Sequence, residues 1–147
     1  MHRFAITERH IQMAHGIEKI EGIGPAQAEK LSTAGIGTIE DLLAKCGSAK
    51  GRADVAETTG ISAKLLLRWV NMADLMRISG VGEEFSELLE AAGVDTVKEL
   101  QHRRADNLAA KMVEVNEAKK LCRRTPAAKE VEKWIEQAKT LEPIVTH

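Results

Sequence analysis

"IEGIGPAQAEKLSTAGI", Ile20 to Ile36, sets two glycines one residue apart directly ahead of an apolar-periodic run. At an offset of 58 residues, "ISGVGEEFSELLEAAGV", Ile78 to Val94, does the same. Ile20–Leu42 and Ile78–Leu100 align without a gap, and nine of the 23 pairs are identical, including Gly22/Gly80, Gly24/Gly82, Gly35/Gly93 and Thr38/Thr96. The match resumes at an offset of 65, where "AKLLLRWVNMADLM" (Ala63–Met76) meets "AKEVEKWIEQAKTL" (Ala128–Leu141) and sets Trp69 opposite Trp134. Recurrence of this many special positions marks an internal duplication. The change of offset puts seven extra residues in the second copy, between Leu100 and Thr125. The chain therefore divides into an N-terminal extension, 1–19, a first unit, 20–77, and a second unit, 78–147.

Each unit reads as short helices. Pro25 is tolerated in the first turn of a helix that Gly35 closes with a left-handed residue. Thr38 caps "IEDLLAKC", and Asp41, three residues on, completes a capping box. "AKGRADVAETTG" is a weak helix closed by Gly60. Ser62 then caps a long helix whose Leu66, Trp69, Val70, Ala73 and Met76 share one face, as Val131, Trp134, Ile135, Ala138 and Leu141 do in the second copy. Those stripes predict one shared core that contains both tryptophans. No strand pattern competes.

Composition agrees. Apolar residues make up 44% of the 147 residues but aromatics only 3%, which suits helices better than sheets. A net charge of −1 gives no general attraction to nucleic acid or to an anionic membrane, although it permits a local basic face. Two cysteines form no disulfide framework and are expected as free thiols. With no long apolar stretch at the N-terminus, neither a signal peptide nor a membrane span is expected, and the protein is expected to be cytoplasmic.

Gly-x-Gly ahead of a helix has a chemical use. The glycines permit backbone angles that side chains forbid, and the first helical turn presents unpaired amides with the positive end of the dipole behind them. That is an anion site in outline.

"IEGIGPAQAEKL" resembles the helix-hairpin-helix motif of DNA-binding and DNA-repair proteins, whose hairpin amides hold the sugar-phosphate backbone without reading sequence. The longer runs "GIGPAQAEKLSTAGIGTIEDLL", "LLLRWVNMADLMRISGVGEEFSELLEAAGVDTVKEL" and "NLAAKMVEVNEAKKLCRR" resemble a bacterial family known as domain of unknown function 4332, itself made of tandem helix-hairpin-helix units. The resemblance covers Ile20 to the C-terminus. It implies an all-α fold of short, SAM-like helices in duplicated units, and it implies no established activity.

Carried over residue by residue, a phosphate-binding role falls on Gly22, Ile23 and Gly24, on the amides of Ala26 and Gln27, and on Lys30. Gly80, Val81 and Gly82 match the second hairpin, but Glu83 and Glu84 occupy the first turn there and repel a phosphate. Glu83–Glu99 carries six acids against Lys98 alone, so this hairpin is expected to be a packing turn or a protein-facing surface. Positive charge collects in Arg103–Arg124, with Arg103, Arg104, Lys111, Lys119, Lys120, Arg123 and Arg124 against three acids. That segment is either a solvated helix end or a contact for phosphate or an acidic partner. Cys122 among its cations is either a reactive thiolate of lowered pKa or a packed, inert thiol.

Catalysis has little support. The histidines at 2, 10, 15, 102 and 147 share no metal-ligand spacing with the cysteines. Helix-hairpin-helix glycosylases place a catalytic Asp after the hairpin, yet Asp41 is better explained as a cap. The sequence predicts a non-enzyme without cofactor or metal, binding DNA or RNA independently of sequence through hairpin one. The alternative is a protein adaptor using the acidic second hairpin.

Overall fold

The computed structural model describes residues 16–147. Most of the extension, 1–15, lies outside the described residues. A 3-10 turn at Ile17–Lys19 leads into eight helices: α1 Pro25–Ser32, α2 Ile39–Cys46, α3 Ala49–Thr59, α4 Ala63–Leu75, α5 Glu83–Ala91, α6 Val97–Leu100, α7 Ala105–Lys119 and α8 Ala128–Ala138. Among the described residues the fold is all-α, with one isolated bridge between Gly16 and Thr38 and no strand.

The helix boundaries follow from the capping chemistry in the sequence. Thr38 accepts the Asp41 amide at 3.0 Å, and the Asp41 carboxylate accepts the amides of Gly37 and Thr38 at 3.1 and 3.2 Å. The carboxylate considered for catalysis is thus committed to starting α2. In the second unit Thr96 accepts from the Glu99 amide and Glu99 accepts from the Asp95 amide, which gives α6 the same start. Ser62 accepts from the Leu65 amide to start α4. Gly60 ends α3 with a left-handed φ of 77°, where a side chain would be strained.

The apolar stripes face inward as their spacing predicts, but they do not build one core. Leu66, Trp69, Val70, Met72 and Ala73 of α4 join Ile20, Ile23, Leu31, Ile36 and Leu42 in a first cluster. Leu75, Ile78, Val81, Leu88, Leu89, Val131, Trp134 and Ile135 form a second. The expectation of a single shared interior is corrected to two clusters, with α4 contributing to both. The reason is length: α4 runs past the first cluster, so its last turn delivers Leu75 to the second.

Two buried polar residues join parts of the chain. Asp74, 1% exposed, pairs with Arg77 at 2.7 Å and accepts the Val97 amide at 2.8 Å, tying the end of α4 to the start of α6. Arg52, 5% exposed, donates to the carbonyls of Cys46 and Gly47 at 3.0 Å each and to Thr146. The Thr146 amide returns to the Gly47 carbonyl at 2.8 Å, and Val145 is buried in the first cluster. The C-terminal tail of segment 78–147 therefore closes back over the first unit.

Candidate functional site

The two Gly-x-Gly turns have matching geometry. Gly22 and Gly80 adopt φ of 96° and 95°, and the next residue, Ile23 or Val81, donates back to Ile20 or Ile78. Gly24 and Gly82 then start α1 and α5 in extended conformation with no side-chain cap. Ile23 and Val81 are each 4% exposed, so their side chains anchor the turns in the core while their amides are taken by the Ile20 and Ile78 carbonyls.

Around hairpin one, Gly22, Gly24, Ala26 and Lys30 are exposed, and no acid lies in the first turn of α1. The Gln27 side-chain Oε1 is enclosed and has no hydrogen-bond partner among the described residues.

Hairpin two is covered on one flank by the loop that follows α7. The Cys122 thiol donates to the Glu84 carbonyl at 3.1 Å, and the Glu84 carboxylate takes the Arg123 amide at 3.2 Å and its guanidinium at 3.1 Å. Arg124 lies over the Phe85 ring, 5.2 Å from its centroid, and grips Glu130 through both guanidinium nitrogens at 2.8 and 3.1 Å. This loop, residues 120–127, is longer than residues 60–62 between α3 and α4.

The basic segment is largely neutralised. Arg103 pairs with Glu99, Arg104 with Asp106, Lys111 with Glu114, Arg123 with Glu84 and Arg124 with Glu130. Lys119 and Lys120 are exposed at the C-terminal end of α7, where the helix dipole favours cations. Arg123 and Arg124 line the space beside hairpin two, and Lys120 and Arg123 line the one that Glu21 borders.

The acids converge across the two units. A cavity of about 600 Å³ is lined by Glu21, beside hairpin one, by Glu83, Glu84 and Glu87 of α5, and by Lys120 and Arg123. Burial, then the neighbouring Glu21 charge, raises the Glu87 pKa, with Glu90 adding to the effect and Arg68 opposing it. A larger groove of about 1220 Å³ runs alongside. Its walls include Ile39 and Leu43 of α2, Met76, hairpin two, Phe85 and Leu141. Met76, Phe85 and Leu141 are only half-buried. Glu83, Glu84 and Arg123 line both spaces, so the two adjoin.

A family model described as domain of unknown function (DUF4332) matches residues 21–141. The chain belongs to this family. No curated protein and no solved structure matches the chain. The family segment starts one residue before Gly22 and ends at Leu141, so it takes in both hairpins, both tryptophans and the acidic trench. The tail that Arg52 holds lies beyond it.

Within the family segment both thiols are protonated at neutral pH. Burial lifts Cys46 to about 11 against the pull of Arg52 and Lys45. Cys122 is also lifted to about 11, by burial and then by Glu84 and Glu87. The reactive-thiolate alternative for Cys122 is thereby corrected: Arg123 and Arg124 turn to carboxylates, and the charges that act on the sulfur are those of Glu84 and Glu87. Among the described residues no group of three or more His, Cys, Asp or Glu side chains is placed to hold a metal ion, and no helix is long and apolar enough to cross a membrane. Arg52 and the tail gave no sequence signal, because an arginine that binds carbonyls needs no acidic partner to mark it.

Proposed function

We propose that this protein is a non-catalytic adaptor built of tandem helix-hairpin-helix units, which binds a protein partner in the groove beside hairpin two. The observation that carries this reading is the groove itself. Half-buried Met76, Phe85 and Leu141 expose apolar surface next to a concentration of carboxylates. Apolar anchors ringed by polar groups are the usual make-up of a protein-binding surface. The pairing of the basic segment also supports the adaptor, because cations held by carboxylates release few counterions from a nucleic acid.

A second reading, sequence-independent nucleic-acid binding at hairpin one, rests on one observation. The first turn of α1 offers the exposed Ala26 with no acid in that turn, and exposed Lys30 follows on the same helix. Glu21 and the α5 acids across the trench oppose it.

One pair of experiments separates the readings. A photo-crosslinking amino acid at position 76 should trap a discrete protein in cells, and the adduct should disappear when Phe85→Glu is added. Labelled duplex and single-stranded DNA titrated at two salt concentrations should show no salt-sensitive binding. DNA binding that Lys30→Glu weakens, with a salt slope reduced by about one, together with no crosslinked protein, would overturn the adaptor and favour the second reading.

A further inference from the structure

Resting on the adaptor reading, we infer that the partner is an amphipathic helix with a basic end, its apolar face in the groove and its lysines or arginines over the trench formed by Glu21, Glu83 and Glu87. The charges around the groove decide the polarity of the partner. Of the cations that line the groove, Arg77 is paired with Asp74, Arg123 with Glu84 and Arg124 with Glu130, while Lys19 lines the groove but not the trench. The trench holds carboxylates from both units against Lys120 and the already engaged Arg123. Like charges gathered this closely repel one another, and the repulsion falls when cations dock between them.

The shape decides the secondary structure. Adding an extended peptide as a strand needs an exposed sheet edge, and the described residues contain no strand to supply one. A helix in a groove needs only apolar walls, which Met76, Phe85 and Leu141 provide. The groove volume of about 1220 Å³ equals that of roughly ten helical residues about 10 Å across, or about three turns. Such a helix lies in the groove with its apolar face against the walls beside hairpin two. Its charged end then reaches the trench, because Glu83 and Glu84 border both spaces.

The test is a phage-displayed library of amphipathic helices about three turns long. Leucine or methionine is fixed on one face, and the flanking positions at one end are fully randomised. Selection on the full chain should enrich Lys and Arg over Asp and Glu at that end by at least about tenfold. Repeating it on the double variant Glu83→Lys, Glu87→Lys should erase or reverse the bias, with helical circular dichroism and melting retained. Enrichment of acidic ends, enrichment that ignores the double variant, or no enrichment at all overturns the inference. If the library fails while the crosslink at position 76 persists, the partner class is wrong and the adaptor stands. If the crosslink is lost as well, both fall.

Discussion

The ring nitrogen of Trp69 lies 3.3 Å from the point that a β-carbon on Gly22 would occupy. Trp134 makes the same approach to Gly80 at 3.2 Å. Each unit thus seats its long-helix tryptophan under the first glycine of its hairpin, and each of those glycines has a φ that L side chains rarely adopt. Replacing Gly22 or Gly80 with alanine combines backbone strain with a tight ring contact and should cost about 1–3 kcal/mol at either site. Denaturant unfolding of the two variants checks this, and unequal losses would show that the hairpins are supported differently.

The tryptophans carry more than the glycines. At 1% and 3% exposure, Trp69→Ala and Trp134→Ala should each cost about 3–5 kcal/mol. Because the two rings sit in separate clusters, hydrogen exchange should rise first in residues 17–73 for Trp69→Ala and first in residues 78–138 for Trp134→Ala. Uniform loss of protection in both variants would indicate a single cooperative core.

Arg52 and the tail form a mutual clasp. Arg52→Ala leaves the Cys46, Gly47 and Thr146 carbonyls without their charged donor and should destabilise the first unit by about 2–4 kcal/mol. Removing residues 143–147 uncovers the first cluster at Val145 and should produce part of the same loss. The double change should cost less than the sum of the two, which a double-mutant cycle in urea measures.

The start of α8 should be acid-sensitive. Arg124, and then the Ala127 amide, hold the Glu130 carboxyl at about 2, below its usual 4.5. A depressed carboxyl stabilises the fold above its unfolded pKa, and that stability is lost as pH falls from about 4.5 through about 2. Both partners are substantially exposed, so Glu130→Gln should lower stability at pH 7 by no more than about 1 kcal/mol. The difference from wild type should vanish near pH 2, as thermal melts across that range would record.

Cys122 should alkylate slowly. At pH 8, raising a thiol from 9.0 to about 11 cuts its thiolate fraction about a hundredfold, and its greater nucleophilicity recovers part of this, leaving about a tenfold deficit. Iodoacetamide kinetics against a model thiol check the figure. Glu84→Gln, which removes a negative neighbour, should speed the reaction.

Local chemistry was legible in the sequence wherever a residue acts on its own neighbours. Thr38 with Asp41, Ser62, and the glycines at 22, 60 and 80 set helix starts, stops and turns by contacts within a few residues, and the spacing of Leu66, Trp69 and Val70 settled which face is buried. The family, too, follows from the sequence. Tertiary structure alone decided what depends on approach through space. It divided the apolar stripes between two clusters, because α4 overruns the first. It turned Arg123 and Arg124 into partners of Glu84 and Glu130, so a run that reads as positive in the sequence is largely neutral on the surface. It brought Glu21 to the α5 acids across more than sixty residues of chain, and it returned Val145 and Thr146 to Arg52. Charge and burial depend on distances between side chains, and a sequence specifies those distances only after the chain has packed.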